Sequence, residues 1–258
     1  IYDRNGTLLV YNKAIYDILV VPKQIENLDT TLLCDILEID RPTFDKKLAT
    51  AKDGLFYYTS SEFVKQLPAE RFALFLENSS KFAGFYGETR TIRNYTHPVG
   101  AHILGDIGEV NQRDIDNSDN YYHARDYTGK SGLEKLYDNE LRGKKGYKYV
   151  FIDKYNKQQG TFNEGRKDSL PAQGLNLSTT LDIDLQLYGE QLLLDKIGSI
   201  VAIEPSTGEI LALVTAPSYN PNMLVGRKRS KNSVLLFKDS INKPAYDRGL
   251  LATYAPGS

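Results

Sequence analysis

Gly198-Ser199-Ile200-Val201-Ala202-Ile203-Glu204-Pro205-Ser206-Thr207-Gly208-Glu209-Ile210-Leu211-Ala212-Leu213-Val214 is the stretch that decides the fold. Two apolar runs flank Pro205-Ser206-Thr207-Gly208, whose composition suits a tight turn. The reading is strand, turn, strand, over Ser199–Ile203 and Glu209–Val214. Their nearly continuous apolar character predicts a sheet buried on both faces. Just upstream, Asp182 opens a helix through Leu185, Tyr188 and Leu192 to about Leu194. This architecture differs from everything before it, so a domain boundary is expected between about 178 and 197.

Working back to the N-terminus, Ile1–Val10 reads as strand, turn, strand, because Asn5-Gly6 supplies the positive φ angles of a hairpin. A further strand is expected over Ile15–Val21, ended by Pro22. From Asp29 to about Ser79 the pattern is helical. Asp29 or Thr30 caps a first helix, and Pro42-Thr43 opens a second with Phe44, Leu48 and Ala51 on one face. Ser60-Ser61 is expected to precede a third, and Pro68 suits the first turn of a fourth. Gly84 to Glu109 returns to short strands and turns. Ser131-Gly132-Leu133-Glu134 has the capping-box pattern, with a helix running to about Leu141 and stopping at Gly143. Gly146–Thr161 alternates like a hairpin with its turn near Lys154-Tyr155-Asn156-Lys157.

The chain has 258 residues, 41% of them hydrophobic and 25% charged, with a formal net charge of -1. That length holds one or two domains with real cores. A near-zero charge argues against a nucleic-acid binder, which carries a basic excess. The single cysteine, Cys34, sits in an apolar helical pattern and reads as a packing thiol; no internal disulfide can form. His97, His102 and His123 lack compact metal-ligand spacing, so no metal and no cofactor is expected. No stretch has the length and apolarity of a membrane span or a signal peptide. The chain begins at Ile1 without a methionine, and both ends read as cut points in a longer protein.

Several motifs have plain explanations. Thr128-Gly129-Lys130-Ser131 resembles the end of a phosphate loop, but Ala124 stands where that loop needs glycine, so nucleotide binding is rejected. Arg227-Lys228-Arg229-Ser230-Lys231 reads as a solvated basic loop, with an anionic polymer or lipid contact as the functional alternative. In Leu141-Arg142-Gly143-Lys144-Lys145 the cations complement a helix C-terminus. Glu134, Asp138 and Glu140 read as a helix surface. Asp182 and Asp184 favour the positive end of a helix.

The last five residues are Tyr254-Ala255-Pro256-Gly257-Ser258. Pro-Gly-Ser by itself is ordinarily a loop. It also turns the backbone sharply and can leave a serine hydroxyl at a helix start, where N–H groups steady a developing oxyanion. A serine needs a neighbouring base to act as a nucleophile.

The ordered blocks go further. Ile1-Tyr2-Asp3-Arg4-Asn5-Gly6, Arg93-Asn94-Tyr95 with Ala101-His102-Ile103-Leu104-Gly105-Asp106-Ile107-Gly108-Glu109, Gly129-Lys130-Ser131-Gly132-Leu133-Glu134 with Tyr137-Asp138 and Leu141-Arg142-Gly143, Leu177–Gln186, Gly198–Ala212, Ala216-Pro217-Ser218-Tyr219-Asn220-Pro221-Asn222 and Ala255-Pro256-Gly257-Ser258 follow one another. In that order they resemble the class B penicillin-binding proteins, and most closely the elongation-type penicillin-binding-protein-two family of peptidoglycan D,D-transpeptidases. Two local departures are Pro244-Ala245-Tyr246-Asp247-Arg248-Gly249, where Asn-Arg-Ala is commoner, and Gly105-Asp106, where Gly-Tyr is usual.

The resemblance implies an α+β fold. Residues 1–178 would form an elongated pedestal, or dimerisation-type, domain of strands with a helical insert at 29–79. Residues 179–258 would form the first strands and helix of a transpeptidase domain. It implies that Ser258 is the acylated nucleophile, attacking the D-Ala-D-Ala bond of a stem peptide, and that penicillins acylate the same serine. The activating lysine belongs three positions beyond Ser258 and the Ser-x-Asn and Lys-Thr-Gly elements later still. The 258-residue piece alone is therefore expected neither to cross-link peptidoglycan nor to bind penicillin covalently. The implied setting is the bacterial inner membrane, with a single N-terminal anchor and the domain facing the periplasm. The implied partners are a membrane glycosyltransferase and rod-shape scaffold proteins. Two alternatives stand beside this one. The first is a non-catalytic pedestal that docks cell-shape partners through the 29–79 insert. The second is a serine β-lactamase or sensor relative, which usually lacks the block from Gly129 to Gly143.

Overall fold

The computed structural model describes residues 1–53, 57–152 and 158–253. In chain order the elements are β1 (Val10–Val20), α1 (Thr30–Leu37), α2 (Arg41–Ala51), β2 (Ser61–Leu67), α3 (Ala69–Glu77), β3 (Phe85–Tyr95), α4 (Ala101–Leu104), β4 (Ile107–Glu109), α5 (Gln112–Asp116), β5 (Tyr127–Gly129), α6 (Gly132–Leu136), α7 (Asp138–Leu141), β6 (Val150–Ile152), β7 (Gln158–Thr161), α8 (Ile183–Leu192), β8 (Gly198–Ile203), β9 (Ile210–Ala216), α9 (Arg229–Lys238) and α10 (Arg248–Leu251). The mixture is α+β. Two compact units divide the chain, one built from 1–12, 93–145 and 171 onward, the other from 13–92 and 146–170.

The second of these units is organised by a three-stranded sheet in the order β2-β1-β3. Helix α1 starts where Asp29 accepts from the Leu32 N–H at 3.1 Å, and α2 where Asp40 accepts from the Thr43 N–H at 3.0 Å. Both are side-chain caps that satisfy otherwise orphaned donors. Leu33, Ile36 and Leu37 of α1 and Phe44 and Ala51 of α2 turn inward. Phe63 takes an edge-on contact with both Phe44 and Phe85, at centroid distances of 5.1 and 5.0 Å. Each such buried ring contributes about 1.5–3 kcal/mol relative to exposure.

Ser60-Ser61 does not precede a helix. Residues 61–67 are β2, antiparallel to β1 from Val20↔Ser61 to Tyr16↔Leu67. Phe63, Val64 and Leu67 are all buried in the shared core. Pairing with a strand some forty residues earlier decides this segment, so the insert at 29–79 is helices around a strand. The register slips between Tyr16 and Ile18, and there the buried Asp17 accepts from the Gln66 N–H at 2.7 Å. Arg90 reaches the same carboxylate at 3.3 Å and Glu62 at 3.4 Å. β1 begins at Val10, earlier than the alternation suggests, and β3 is one eleven-residue strand rather than several short ones. β6 and β7 form the expected hairpin, Val150↔Thr161 and Phe151↔Gly160. The turn expected at Lys154–Lys157 lies outside the described residues.

In the other unit, Tyr2 bridges Leu8 across the Asn5-Gly6 turn, where Gly6 has φ 84°. Asp3 closes that turn by accepting from Asn5 and Thr7 N–H groups at 2.9 and 2.7 Å. The other edge of the same short run pairs with residues 177–181: Tyr2 N–H to Leu177 O at 2.8 Å, Thr179 N–H to Tyr2 O at 2.9 Å, and Arg4 N–H to Leu181 O at 2.8 Å. Ile1, Leu9, Val10, Tyr95, Val99, Leu104, Leu181 and Ile183 form the core.

Asp182 caps α8, accepting from Asp184 and Leu185 N–H groups. β8 and β9 are antiparallel from Gly198↔Ala216 to Ile203↔Ile210. Gln186 of α8 is buried against β9, its amide donating to Leu213 O at 3.0 Å and accepting from Leu213 N–H at 2.9 Å. Burial on both faces holds only for β9, since Val201 and Ile203 of β8 are 46% and 53% exposed.

Candidate functional site

Ser258 lies outside the described residues, which end at Thr253. The segment leading to it is described, and it is wound around two side chains. Asp247 Oδ1 accepts from the Thr215 hydroxyl of β9 at 2.8 Å and from the Gly249 and Leu250 N–H groups at 3.0 and 3.3 Å. One carboxylate thus caps α10 and ties it to the sheet. Arg248 is 7% exposed and folds back to donate to Asn242 O at 2.6 Å, Lys243 O at 3.2 Å and Tyr246 O at 3.4 Å. Asp239 closes the turn at the end of α9 by accepting from Ile241 and Asn242 N–H groups.

His102 on α4 holds the middle of that segment. Its Nε2 lies 3.0 Å from Pro244 O, and its ring meets Tyr219 edge-on at 5.4 Å. A carbonyl only accepts, so Nε2 carries the proton. Burial lowers the imidazole pKa below its ordinary 6.5, opposed by the Asp247 charge, so the ring is neutral at neutral pH. Burial pushes the Tyr219 phenol up to about 12. A cavity of about 890 Å³ opens beside these groups, lined among others by Glu190, Thr215, Tyr219, Met223 and Asn242.

The Ser131-Glu134 capping box does not form. Ser131 makes no cap bond; its hydroxyl donates to Asp106 Oδ1 at 2.6 Å and accepts from the Asp106 N–H at 3.2 Å. Glu134 is 2% exposed and pairs with Arg93, Nε to Oε1 at 2.9 Å and Nη2 to Oε2 at 3.1 Å. Burial raises its pKa, and the Arg93 charge pulls the other way. Asp138 accepts from the Gly129 N–H at 2.9 Å and from the Tyr122 hydroxyl. Glu134 is therefore an interior partner and Asp138 a part-buried one, while Glu140 lies on the exposed surface as expected. A capping box does form on α5, where Asn111 accepts from the Asp114 N–H and Asp114 accepts from the Asn111 N–H.

The basic run at 227–231 is helical rather than a loop, and residues 227, 228, 230 and 231 are exposed while Arg229 turns inward. Arg229 begins α9, and its Nη2 donates to Asp106 Oδ2 at 2.5 Å while Nε donates to Ile107 O at 3.0 Å. Lys145 meets Asp126 and donates to Tyr121 O at 2.6 Å, and Arg142 lies 3.9 Å over the Tyr121 ring. Those cations are engaged by side chains and not only by a helix end. None of these partnerships carries a short-range sequence signal. The one available hint was Asp106 itself, an unusual residue at its position in the block.

Cys34 is buried and free. Among the described residues no group of three or more His, Cys, Asp or Glu side chains is placed to hold a metal ion. No described helix is long and apolar enough to cross a membrane.

The penicillin-binding protein dimerisation domain family model matches residues 1–179, and the penicillin-binding protein transpeptidase domain model matches residues 198–258. The chain belongs to the penicillin-binding proteins. Within them it is similar to the peptidoglycan D,D-transpeptidase MrdA of Acinetobacter baumannii, at 37% identity over all of this chain and 38% of that protein. It is 31% identical to MrdA of Escherichia coli K12, over all of this chain and 41% of that one. The chain thus spans about two fifths of the length of the curated penicillin-binding relatives it matches. Its fold matches that of a Helicobacter pylori penicillin-binding protein, PBP2, solved in complex with MreC. The TM-score is 0.72 at 24% identity, covering 96% of this chain and 46% of that one. The same protein solved alone gives a TM-score of 0.62.

Proposed function

We propose that this chain is the pedestal and the opening of the catalytic domain of a peptidoglycan D,D-transpeptidase of cell elongation. The observation that carries the reading is the match of the whole chain to transpeptidases of that name at 31–37% identity. In this reading residues 1–178 are the pedestal and residues 179–258 begin the catalytic domain. The Ser258 hydroxyl attacks the carbonyl of the penultimate D-alanine of a stem peptide. The peptide C–N bond breaks, the terminal D-alanine leaves as the amine, and an ester to Ser258 remains. An amine of a neighbouring strand then attacks that ester, forming the cross-link and freeing the hydroxyl. A lysine three positions beyond Ser258 removes the hydroxyl proton in the first step. A β-lactam presents an equivalent carbonyl and acylates the same oxygen. The described bracket of Asp247, Arg248 and His102 supports the reading, because it fixes the chain that runs into Ser258.

The fluorescent-penicillin labelling of the full-length protein tests this. Covalent label on the wild type, lost in Ser258→Ala, is expected. Label that survives Ser258→Ala, or a wild type that takes none, overturns it.

The pedestal carries a second role in this reading. It holds the catalytic domain away from an inner-membrane anchor on the periplasmic side, beside a glycosyltransferase, and docks a rod-shape scaffold protein. The relative solved in complex with MreC favours that partner. Co-purification of full-length protein with MreC that depends on residues 29–79 is expected; unchanged binding after their deletion removes that insert as the docking surface.

A further inference from the structure

Asp106 and Arg229 are 123 residues apart in sequence and meet through a 2.5 Å charged hydrogen bond. The Asp106 side chain is 8% exposed. Its second oxygen is held by the Ser131 hydroxyl at 2.6 Å, and its own N–H donates back to that hydroxyl. The guanidinium is held at a second point by Ile107 O. It also lies flat over Gly108 of β4, since a Cβ built there falls 2.7 Å from the Arg229 Cζ and 2.8 Å from Nη2. Carboxylate, hydroxyl, carbonyl and bare Cα therefore define one seat for one planar fork, a geometry that lysine's single ammonium does not reproduce.

Arg229 is also the first residue of α9, whose N-terminus has no side-chain cap. The seat supplies the fixed point that the cap does not. From α9 the chain runs through the Asp239 turn into the Arg248 and Asp247 bracket, and Ser258 follows seven residues after Leu251. We infer that Asp106 and Arg229, braced by Ser131 and seated on Gly108, form a positioning clamp that sets the approach of the Ser258 segment during acylation. These are positioning residues, and the inference rests on Ser258 being the acylated nucleophile.

The full-length protein and a fluorescent penicillin test the clamp. The maximal acylation rate at saturating penicillin and the half-saturating concentration are measured for wild type, Gly108→Ala, Arg229→Met, the double variant and Ser258→Ala, with thermal unfolding of each. Gly108→Ala removes no charge and pushes the guanidinium off its seat. It and Arg229→Met are each expected to lower the maximal rate roughly ten- to a hundredfold, the scale of a small misplacement of a reacting group. The half-saturating concentration stays within about twofold, and the double variant falls no further than the worse single one, because both break one device. Wild-type rates in the single variants, effects that multiply in the double, or rate losses that only track loss of folded protein overturn the clamp. If Arg229→Met does not fold, Gly108→Ala decides the question alone. Label surviving in Ser258→Ala overturns the nucleophile reading instead, whatever the clamp variants do.

Discussion

The side-chain amide of Asn222 pairs with the backbone of Tyr95 as a neighbouring strand would. Its Oδ1 accepts from the Tyr95 N–H at 3.1 Å and its Nδ2 donates to the Tyr95 C=O at 2.8 Å. Tyr95 ends β3 and is 3% exposed, so both backbone groups lie where water does not serve them. A carboxamide sets a donor and an acceptor side by side, as Gln186 also does against Leu213, and the Asn220 side-chain oxygen Oδ1 fixes the Asn222 backbone by accepting from its N–H at 2.9 Å.

Asn222→Ala leaves a buried donor and a buried acceptor without partners. The expected loss is about 2–6 kcal/mol, at 1–3 per orphaned group. Urea unfolding of the full-length protein measures it. A loss below about 1 kcal/mol would mean that water takes over the amide's role.

Arg93 and Glu134 form a buried pair, with side-chain exposures of 13% and 2%. Arg93→Met strands the carboxylate and is expected to cost about 3–5 kcal/mol at neutral pH. The pH dependence gives the sign. Glu134 already titrates above its usual range because burial opposes its charge, and without Arg93 it titrates higher still. A carboxyl with a raised folded pKa contributes stability below its unfolded pKa and loses it as pH rises through the folded value. The deficit of Arg93→Met relative to wild type therefore shrinks on acidification, as the carboxyl takes up its proton in both proteins. Unfolding curves for the two proteins at neutral and mildly acidic pH check this, and a deficit that grows toward low pH contradicts it.

His102 is depressed below 6.5 by burial, so between that value and its folded pKa the unfolded chain binds the extra proton. Its contribution is fully present above pH 6.5 and is lost as pH falls through the window beneath it. His102→Gln, which keeps a donor for Pro244 O, should flatten the fall of melting temperature between about pH 6.5 and 5. Melting curves across that interval decide it; equal slopes in both proteins would place the acid sensitivity elsewhere.

Local chemistry was readable where it stayed local. Asp29 and Asp182 announce helix starts and act as caps, and the turn at Pro205–Gly208 joins the strand pair that the apolar runs predict. The family was legible from the order of its blocks. Ser61–Leu67 failed because its strand character comes from β1, not from its own alternation. Ser131 and Glu134 failed for a related reason. Their pattern is that of a cap, but Asp106 and Arg93 offer each a better partner from elsewhere in the chain. Arg229 looked like one charge among several, since nothing near it in sequence marks the carboxylate it finds.

The pairing of Tyr2 with both Leu8 and residues 177–179 has a kinetic consequence. The amino-terminal run cannot complete its hydrogen bonds until a partner some 175 residues later has been delivered. Contacts of such sequence separation are slow to close and leave the waiting surface open to wrong associations. The phenylalanine-rich core of residues 18–85 has no such wait. During synthesis from the N-terminal side, residues 18–85 should therefore gain protease resistance before residues 1–4 become protected.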